Sequence, residues 1–498
     1  MTTELMTEMK YKNLILKYHY LSEPAKAAIW YAICNVLNKG LALLSTPIFT
    51  RIMTAEQYGT YAIFQSWYNI IIIFTSLNIF LGGYLKGLLL YRYDRPSFIS
   101  SLLSLTTFIT VVVGLIYVLF IDFWTSLFQL PPILMGAMFV ELTFIPALEF
   151  WAASERFEFK YQKYVAVSIA MTILSLGFGV LSVLNTSYKV EARIISDIGV
   201  KSVFAGVLFM YILFKGKKYF DNEYWCYALK FNLPLLPHYL SNYVLSQSDG
   251  IMIGRMVGND KAAFYSVAYT ISMATLLIMN AINNSLTPYL YKQIDYYEQK
   301  KSSIDELSYN IQRVTNPLIV LVAFMSTTMM VFAPEVISVF AGPRYDEAIY
   351  VIPPIAASVF FIFLYSLFSN IEYYFQKTGS IAVATTISAI LNLILNYVFI
   401  DMFGYYAAGF TTLFCYVGLS LMHYYFYRKA LAVILPNCRA LYNIKLIILV
   451  SAAILCIMLL MSFTYELTSI RYGFVVAVMF IIFYKRQFIV SNLNVLIK

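Results

Sequence analysis

Lys39 lies midway along Ala27 to Arg51, an apolar run long enough to cross a bilayer, with Asn35 and Asn38 beside it. A spanning helix takes about 20 residues at roughly 1.5 Å each, which puts Lys39 near the membrane midplane. An ammonium there costs roughly 2.5–3.5 kcal/mol or more unless it faces a polar interior or a partner. Asn35, Lys39, Ala42 and Thr46 follow helical spacing and form one small polar stripe, while Trp30, Ile33, Leu37, Leu41 and Leu44 cover other faces. A helix of this kind lines something wet, and its cation suits an anionic ligand. Further amides stand on other apolar runs: Gln65 and Asn69, Asn280 and Asn284, and the stripe Thr385, Asn392 and Asn396. They can bond hydroxyl-rich ligands, or they can bond neighbouring helices, as amides in bundles commonly do.

The intramembrane carboxylates and the histidine invite proton or ion exchange. Glu141 falls near mid-depth of its run, where a buried carboxyl exchanges protons closer to neutral pH; the alternative is a fixed ion pair with Lys39. Asp249 stands shortly before Arg255, where capping or pairing is as available to it as ion coupling. His238 follows Pro234 and Pro237 at an expected kink and is either structural or titrating. Arg193, Asp197 and Lys201 lie at i, i+4 and i+8, so they can neutralise one another along one helix face, and Lys201 is also a candidate for an anionic ligand.

The elements that must position these side chains are membrane helices. The chain has 498 residues, 60% hydrophobic and 12% charged, and its mean hydropathy is +0.71. Such a composition belongs to an integral membrane protein. The five cysteines are scattered without paired or metal-type spacing, so neither disulfides nor zinc is expected. A net charge of +9 could suit nucleic acid, but the basic residues sit in short loops, where membrane topology accounts for them and nucleic acid is excluded. Residues 1–26 read as a retained cytoplasmic tail.

Apolar spans are drawn at 27–50, 60–83, 99–121, 132–153, 164–184, 193–215, 230–254, 263–289, 314–333, 350–374, 380–401, 404–427, 444–463 and 467–484. This all-α fold of about fourteen helices puts Lys86, Arg92, Arg95, Arg156, Lys160, Lys163, Lys215, Lys217 and Lys218 in even-numbered loops, with further Lys and Arg in the later ones. The odd loops hold few cations, so both termini are placed in the cytoplasm. No loop has room for a folded soluble domain. A phosphate loop ending in Lys-Ser/Thr, a His-Glu-x-x-His and a nucleophile elbow are all missing, so no catalytic residue, cofactor or metal site is expected. Arg51, Gly59, Tyr61 and Ala62 repeat as Arg255, Ala263, Tyr265 and Ser266 at the same distances, six helices on. That offset suggests parallel repeats, with a lobe at 27–218, a second at 219–430 and two added helices within 431–498.

The run Thr46-Pro47-Ile48-Phe49-Thr50-Arg51, continued by Ala55-Glu56-Gln57-Tyr58-Gly59-Thr60-Tyr61, resembles the first-helix signature of Wzx-type polysaccharide (O-antigen) flippases of the multidrug/oligosaccharidyl-lipid/polysaccharide exporter (MOP) superfamily. A second block, Phe231-Asn232-Leu233-Pro234-Leu235-Leu236-Pro237-His238 with Ser248-Asp249-Gly250-Ile251-Met252-Ile253-Gly254, resembles the start of that family's second lobe. The resemblance implies two six-helix lobes in a V working by alternating access in the bacterial cytoplasmic membrane. It implies a substrate of undecaprenyl-pyrophosphate-linked oligosaccharide, coupling to protons or Na+, and contact with polysaccharide polymerase machinery. On this reading Lys39 offsets the cost of bringing a diphosphate into a low-dielectric cavity. Rival readings are a cation-coupled drug exporter and a peptidoglycan-precursor flippase of the same superfamily. A membrane glycosyltransferase or polymerase would need a longer outer loop with clustered charges.

Overall fold

A computed structural model describes residues 22–300, 303–432, 440–469, 471–473 and 476. The tail before residue 22 and most of the expected span 467–484 lie outside the described residues. The described chain is helical, beginning with α1 (Glu23–Ile52), α2 (Ala55–Ser76), α3 (Tyr84–Leu90), α4 (Arg95–Leu119), α5 (Ile121–Phe128), α6 (Pro132–Phe157), α7 (Tyr161–Leu184), α8 (Lys189–Gly216) and α9 (Asn222–Asn232). After it come α10 (Leu236–Met256), α11 (Asn259–Met273), α12 (Thr275–Lys300), α13 (Ile304–Val331), α14 (Ala333–Phe340), α15 (Ile352–Tyr374), α16 (Thr378–Phe403), α17 (Tyr406–Leu431) and α18 (Ile444–Thr464). Among the described residues ten helical stretches are long and apolar enough to cross a membrane. α2, α10 and α17 match them in length but are more polar and fall outside the ten.

The chain divides into two compact units. One comprises the described residues up to Ile48 together with Ile71–Leu236; the other comprises Phe49–Ile70 and the described residues from Pro237 onward. In the first unit α8 packs along α6, α7 and α4. Its apolar centre joins Tyr84, Leu88, Phe98, Leu102, Phe150, Ile212 and Tyr224, all buried. Tyr91, Phe98 and Tyr224 meet ring to ring with centroids 4.6–5.3 Å apart, and Tyr224 donates to Asp94 at 2.9 Å. In the second unit α15 is the centre, almost wholly buried, with α17, α13, α11 and α12 around it.

Local chemistry sets the interruptions. Between α1 and α2 the Thr54 amide donates to Gln57 Oε1 at 2.9 Å and the Gln57 amide to Thr54 Oγ1 at 3.2 Å, a reciprocal capping box. That is the physical content of the first motif block. The span drawn over 60–83 stops at Ser76, because Leu77 and Asn78 turn into left-handed backbone at φ 48° and 47°. The kink expected near Pro234 is a 3-10 turn over Leu233–Leu235 that separates α9 from α10. A proline at each of two nearby positions removes backbone donors, and the regular helix gives way to the 3-10 turn there.

Candidate functional site

In the first unit one charged cluster joins α6 and α8, with a serine of α7 beside it. Lys201 of α8 donates to Glu141 Oε1 of α6 at 2.9 Å and pairs with Asp197 Oδ2 at 2.8 Å. Arg193 lies 3.8 Å from Asp197 Oδ1, and Ser175 of α7 donates to the same oxygen. Two cations thus meet two carboxylates, with Glu141 only 1% exposed and both Asp197 and Arg193 5% exposed. The helical stripe expected along α8 forms, and it reaches across to α6. The ion pair expected as one alternative between Glu141 and Lys39 does not form: Glu141 takes Lys201, because α8 packs directly along α6. Glu141 Oε2 has no hydrogen-bond partner among the described residues.

Along the polar stripe of α1 the three candidates separate. Asn38 Nδ2 donates to Ser168 Oγ at 2.6 Å and its Oδ1 accepts from Thr172 Oγ1 at 2.9 Å, so this amide fastens α1 to α7. Asn35 and Lys39 stay exposed, and Lys39 makes no ion pair among the described residues. An unpaired ammonium with an amide one turn away can take an anion from outside its own unit of structure.

The second unit holds a buried polar network. Asp249 of α10, fully buried, accepts from Asn396 Nδ2 at 2.5 Å, from Thr412 Oγ1 at 2.6 Å and from the Tyr265 hydroxyl. Asn392 Oδ1 accepts from Ser248 at 3.0 Å and from Asn396 at 3.2 Å, and Thr411 donates to Asn396 Oδ1. α10, α11, α16 and α17 each contribute. Pairing of Asp249 with Arg255, one expectation from the sequence, is not what forms: its partners are hydroxyls and amides. A carboxylate out of water with no cation beside it costs several kcal/mol, which these donors offset only in part. The oxygens of Asp249, Asn392, Asn396 and Thr412 could hold a small hard cation, or Asp249 could hold a proton.

The remaining candidates are dispersed. His238 Nδ1 meets Thr385 Oγ1 at 3.1 Å and its Nε2 meets Asn242 at 3.3 Å. Gln65 and Asn69 are half-buried on α2. Asn280 and Asn284 are exposed on α12, whereas Asn283 accepts from Asn370 at 2.8 Å. Sequence reading passed over one buried pair: Glu372 of α15 meets His423 Nδ1 of α17 at 2.6 Å and accepts from Ser380 at 2.6 Å. Both side chains are fully buried, and Tyr365 stacks on the imidazole with centroids 5.5 Å apart. The available signal was simply an ionisable residue inside each of two apolar runs.

The family model of polysaccharide biosynthesis proteins matches residues 25–294. The "Probable low-salt glycan biosynthesis flippase Agl15" of Haloferax volcanii is 22% identical over 404 residues, 80% of this chain and 82% of its own length. "Lsg locus putative protein 1" of Haemophilus influenzae is 22% identical over 379 residues, 74% of this chain and 88% of its own. Among solved structures, the lipid II flippase MurJ in an inward closed conformation is similar with a TM-score of 0.67 at 14% identity, covering 93% of this chain and 100% of that one. An inward-facing multidrug resistance MATE transporter of the MOP superfamily has a TM-score of 0.60 at 12% identity, over 83% and 100% of the two chains. The structural likenesses give the fold.

Proposed function

The chain belongs to the polysaccharide biosynthesis protein family, and from that premise we propose that it flips polyprenyl-pyrophosphate-linked oligosaccharide units from the cytoplasmic to the outer leaflet of the bacterial inner membrane by alternating access. The observation that carries this reading is Lys39: an exposed ammonium on the polar stripe of a membrane helix, with no ion pair among the described residues. A diphosphate is the group that benefits most from a cation at that depth, because each charge alone would be costly in a low-dielectric setting. Asn35, Gln65, Asn69, Asn280 and Asn284 are the amides assigned to sugar hydroxyls. Asn38 now serves mainly to hold α1 against α7. Lys201, in the charged cluster of the first unit, is assigned to holding Glu141 and Asp197, not to substrate.

Ion coupling is assigned to Asp249. Its desolvated carboxylate, surrounded by neutral donors, is stabilised by a proton or a sodium ion, so occupancy follows the gradient. Glu141, already neutralised by Lys201, is second to it in this role, and His238, held by Thr385 and Asn242, is third. The test is substrate binding by the purified full chain in detergent. Affinity for an undecaprenyl-pyrophosphate-linked oligosaccharide should fall about tenfold or more in Lys39→Ala, as for loss of a charged hydrogen bond. Lys39→Arg should keep part of it. Equal affinity in all three proteins would remove Lys39 from the site.

A further inference from the structure

Where α4, α6, α7 and α8 end at the same side of the first unit, they enclose a cavity of about 340 Å3. Arg92, Arg95, Lys160, Lys163 and Lys215 line it, against the two carboxylates Glu155 and Glu158. Glu158 is engaged by Arg95 at 3.5 Å and by Lys160. Arg92, Lys163 and Lys215 make no ion pair among the described residues; Arg92 donates to the Tyr93 hydroxyl at 2.7 Å and Lys215 to the Tyr211 hydroxyl at 3.0 Å. Three cations in no direct ion pair among the described residues therefore face one cavity, with Glu155 the carboxylate whose charge Lys163 and Lys215 feel. Its walls include Trp151, Phe157 and Tyr211, large amphipathic or aromatic side chains of the kind that sit at headgroup depth.

The place is as informative as the charge. The lining residues sit at the ends of membrane-length helices, so the cavity opens at the level where hydrocarbon meets water. It lies at the end of the unit that carries most of its Lys and Arg, where anionic lipid concentrates when that end is cytoplasmic. The C-terminal turns of α6 and α8 point there and favour the cations, but they leave an excess of positive charge that water alone must screen. Glu155 Oε2 is buried without a hydrogen-bond partner among the described residues, an acceptor awaiting a donor. We propose that this cavity binds the headgroup of a membrane phospholipid. Its phosphate meets Lys163, Lys215 and Arg92, and its hydroxyl or ammonium donates to Glu155.

The experiment is native mass spectrometry of the purified full chain, titrated with phosphatidylglycerol, phosphatidylcholine, undecaprenyl pyrophosphate or inorganic phosphate. Phosphatidylglycerol should be retained more tightly than phosphatidylcholine, which has the phosphate but no donor for Glu155. Retention should fall about fivefold in Lys163→Ala or Lys215→Ala and about 30-fold in the double variant, while Lys86→Ala, outside the cavity, leaves it unchanged. All of these side chains are exposed, and a wild-type melting temperature verifies that each variant is folded. Equal retention of the two phospholipids, an undiminished signal in the double variant, or displacement by inorganic phosphate at comparable concentration would overturn the proposal. Retention of undecaprenyl pyrophosphate alone would overturn it too, by making the cavity a loading station for substrate.

Discussion

Lys39 and Lys201 are both lysines inside apolar runs, and their surroundings give them opposite consequences. Lys201 is fixed between Glu141 and Asp197, so Lys201→Ala leaves two buried carboxylates with only Arg193 nearby. Removing one partner of such a pair costs about 3–5 kcal/mol, and the lower end applies because a quarter of the Lys201 side chain remains exposed. Thermal melting in detergent should therefore fall clearly for Lys201→Ala, recover in large part in Glu141→Gln/Lys201→Met, and stay at the wild-type value for Lys39→Ala. A melting loss in Lys39→Ala equal to that of Lys201→Ala would return Lys39 to a structural role. For Asp249→Asn the prediction concerns coupling: the protein stays in the membrane, and transport no longer responds to an imposed proton or sodium gradient. An unchanged response in that variant would remove Asp249 from coupling. The polar stripe bearing Lys39 was legible from helical spacing alone, because spacing fixes which residues share a face. The partner of Glu141 was not, since it depends on which helices pack and at what relative height. Asp249 was visible as a residue, but its neighbours Tyr265, Asn396 and Thr412 come from three other helices.

At the scale of elements, helices that carry the two motif blocks meet inside the second unit: α2 from the first block approaches α10 from the second and the start of α11. A Cβ on Gly59 would lie 1.7 Å from the Asn259 carbonyl oxygen, and one on Gly254 would lie 2.3 Å from Ile63 Cδ1. Asn259 Nδ2 also donates to Thr60 Oγ1 at 3.1 Å. α2 and α11 thus start in close backbone contact that only glycine permits. Gly59→Ala should cost about 2–3 kcal/mol, the upper range for overpacking because the obstacle is backbone, and should lower both melting temperature and membrane abundance. Gly177→Ala, with nothing within 4 Å, serves as the neutral control. A Gly59→Ala protein as stable as the wild type would contradict this packing. Hydropathy found the long helices well, because apolar length is written directly in composition. The short helices α5 and α14, the stop at Ser76 and the break between α11 and α12 were not legible. They depend on local backbone geometry and on what packs beneath, and neither has a periodic signature.

For the whole molecule, the sequence conveys a helical membrane protein, and the fold shared with MOP-superfamily transporters agrees with that. Nothing in hydropathy marks the points between Ile48 and Phe49, and between Ile70 and Ile71, where α1 and α2 pass from one unit to the other. The excess of Lys and Arg in alternate loops predicts orientation: cysteines introduced after Lys218 and Lys429 should be shielded from an impermeant reagent added outside, and those after Lys189 and Arg344 should be labelled. Shielding at Arg344 would break the inferred order of spans. The central claim, that the chain carries lipid-linked oligosaccharide across a bilayer with Lys39 meeting the diphosphate, is tested most directly in proteoliposomes. The quantity to measure is the initial rate at which an undecaprenyl-pyrophosphate-linked oligosaccharide becomes accessible to an impermeant glycosidase. The wild-type protein should raise that rate well above empty vesicles, Lys39→Ala should lower it about tenfold or more, and Lys39→Arg should fall between. A wild-type rate equal to that of empty vesicles, or a fully active Lys39→Ala protein, would contradict the account.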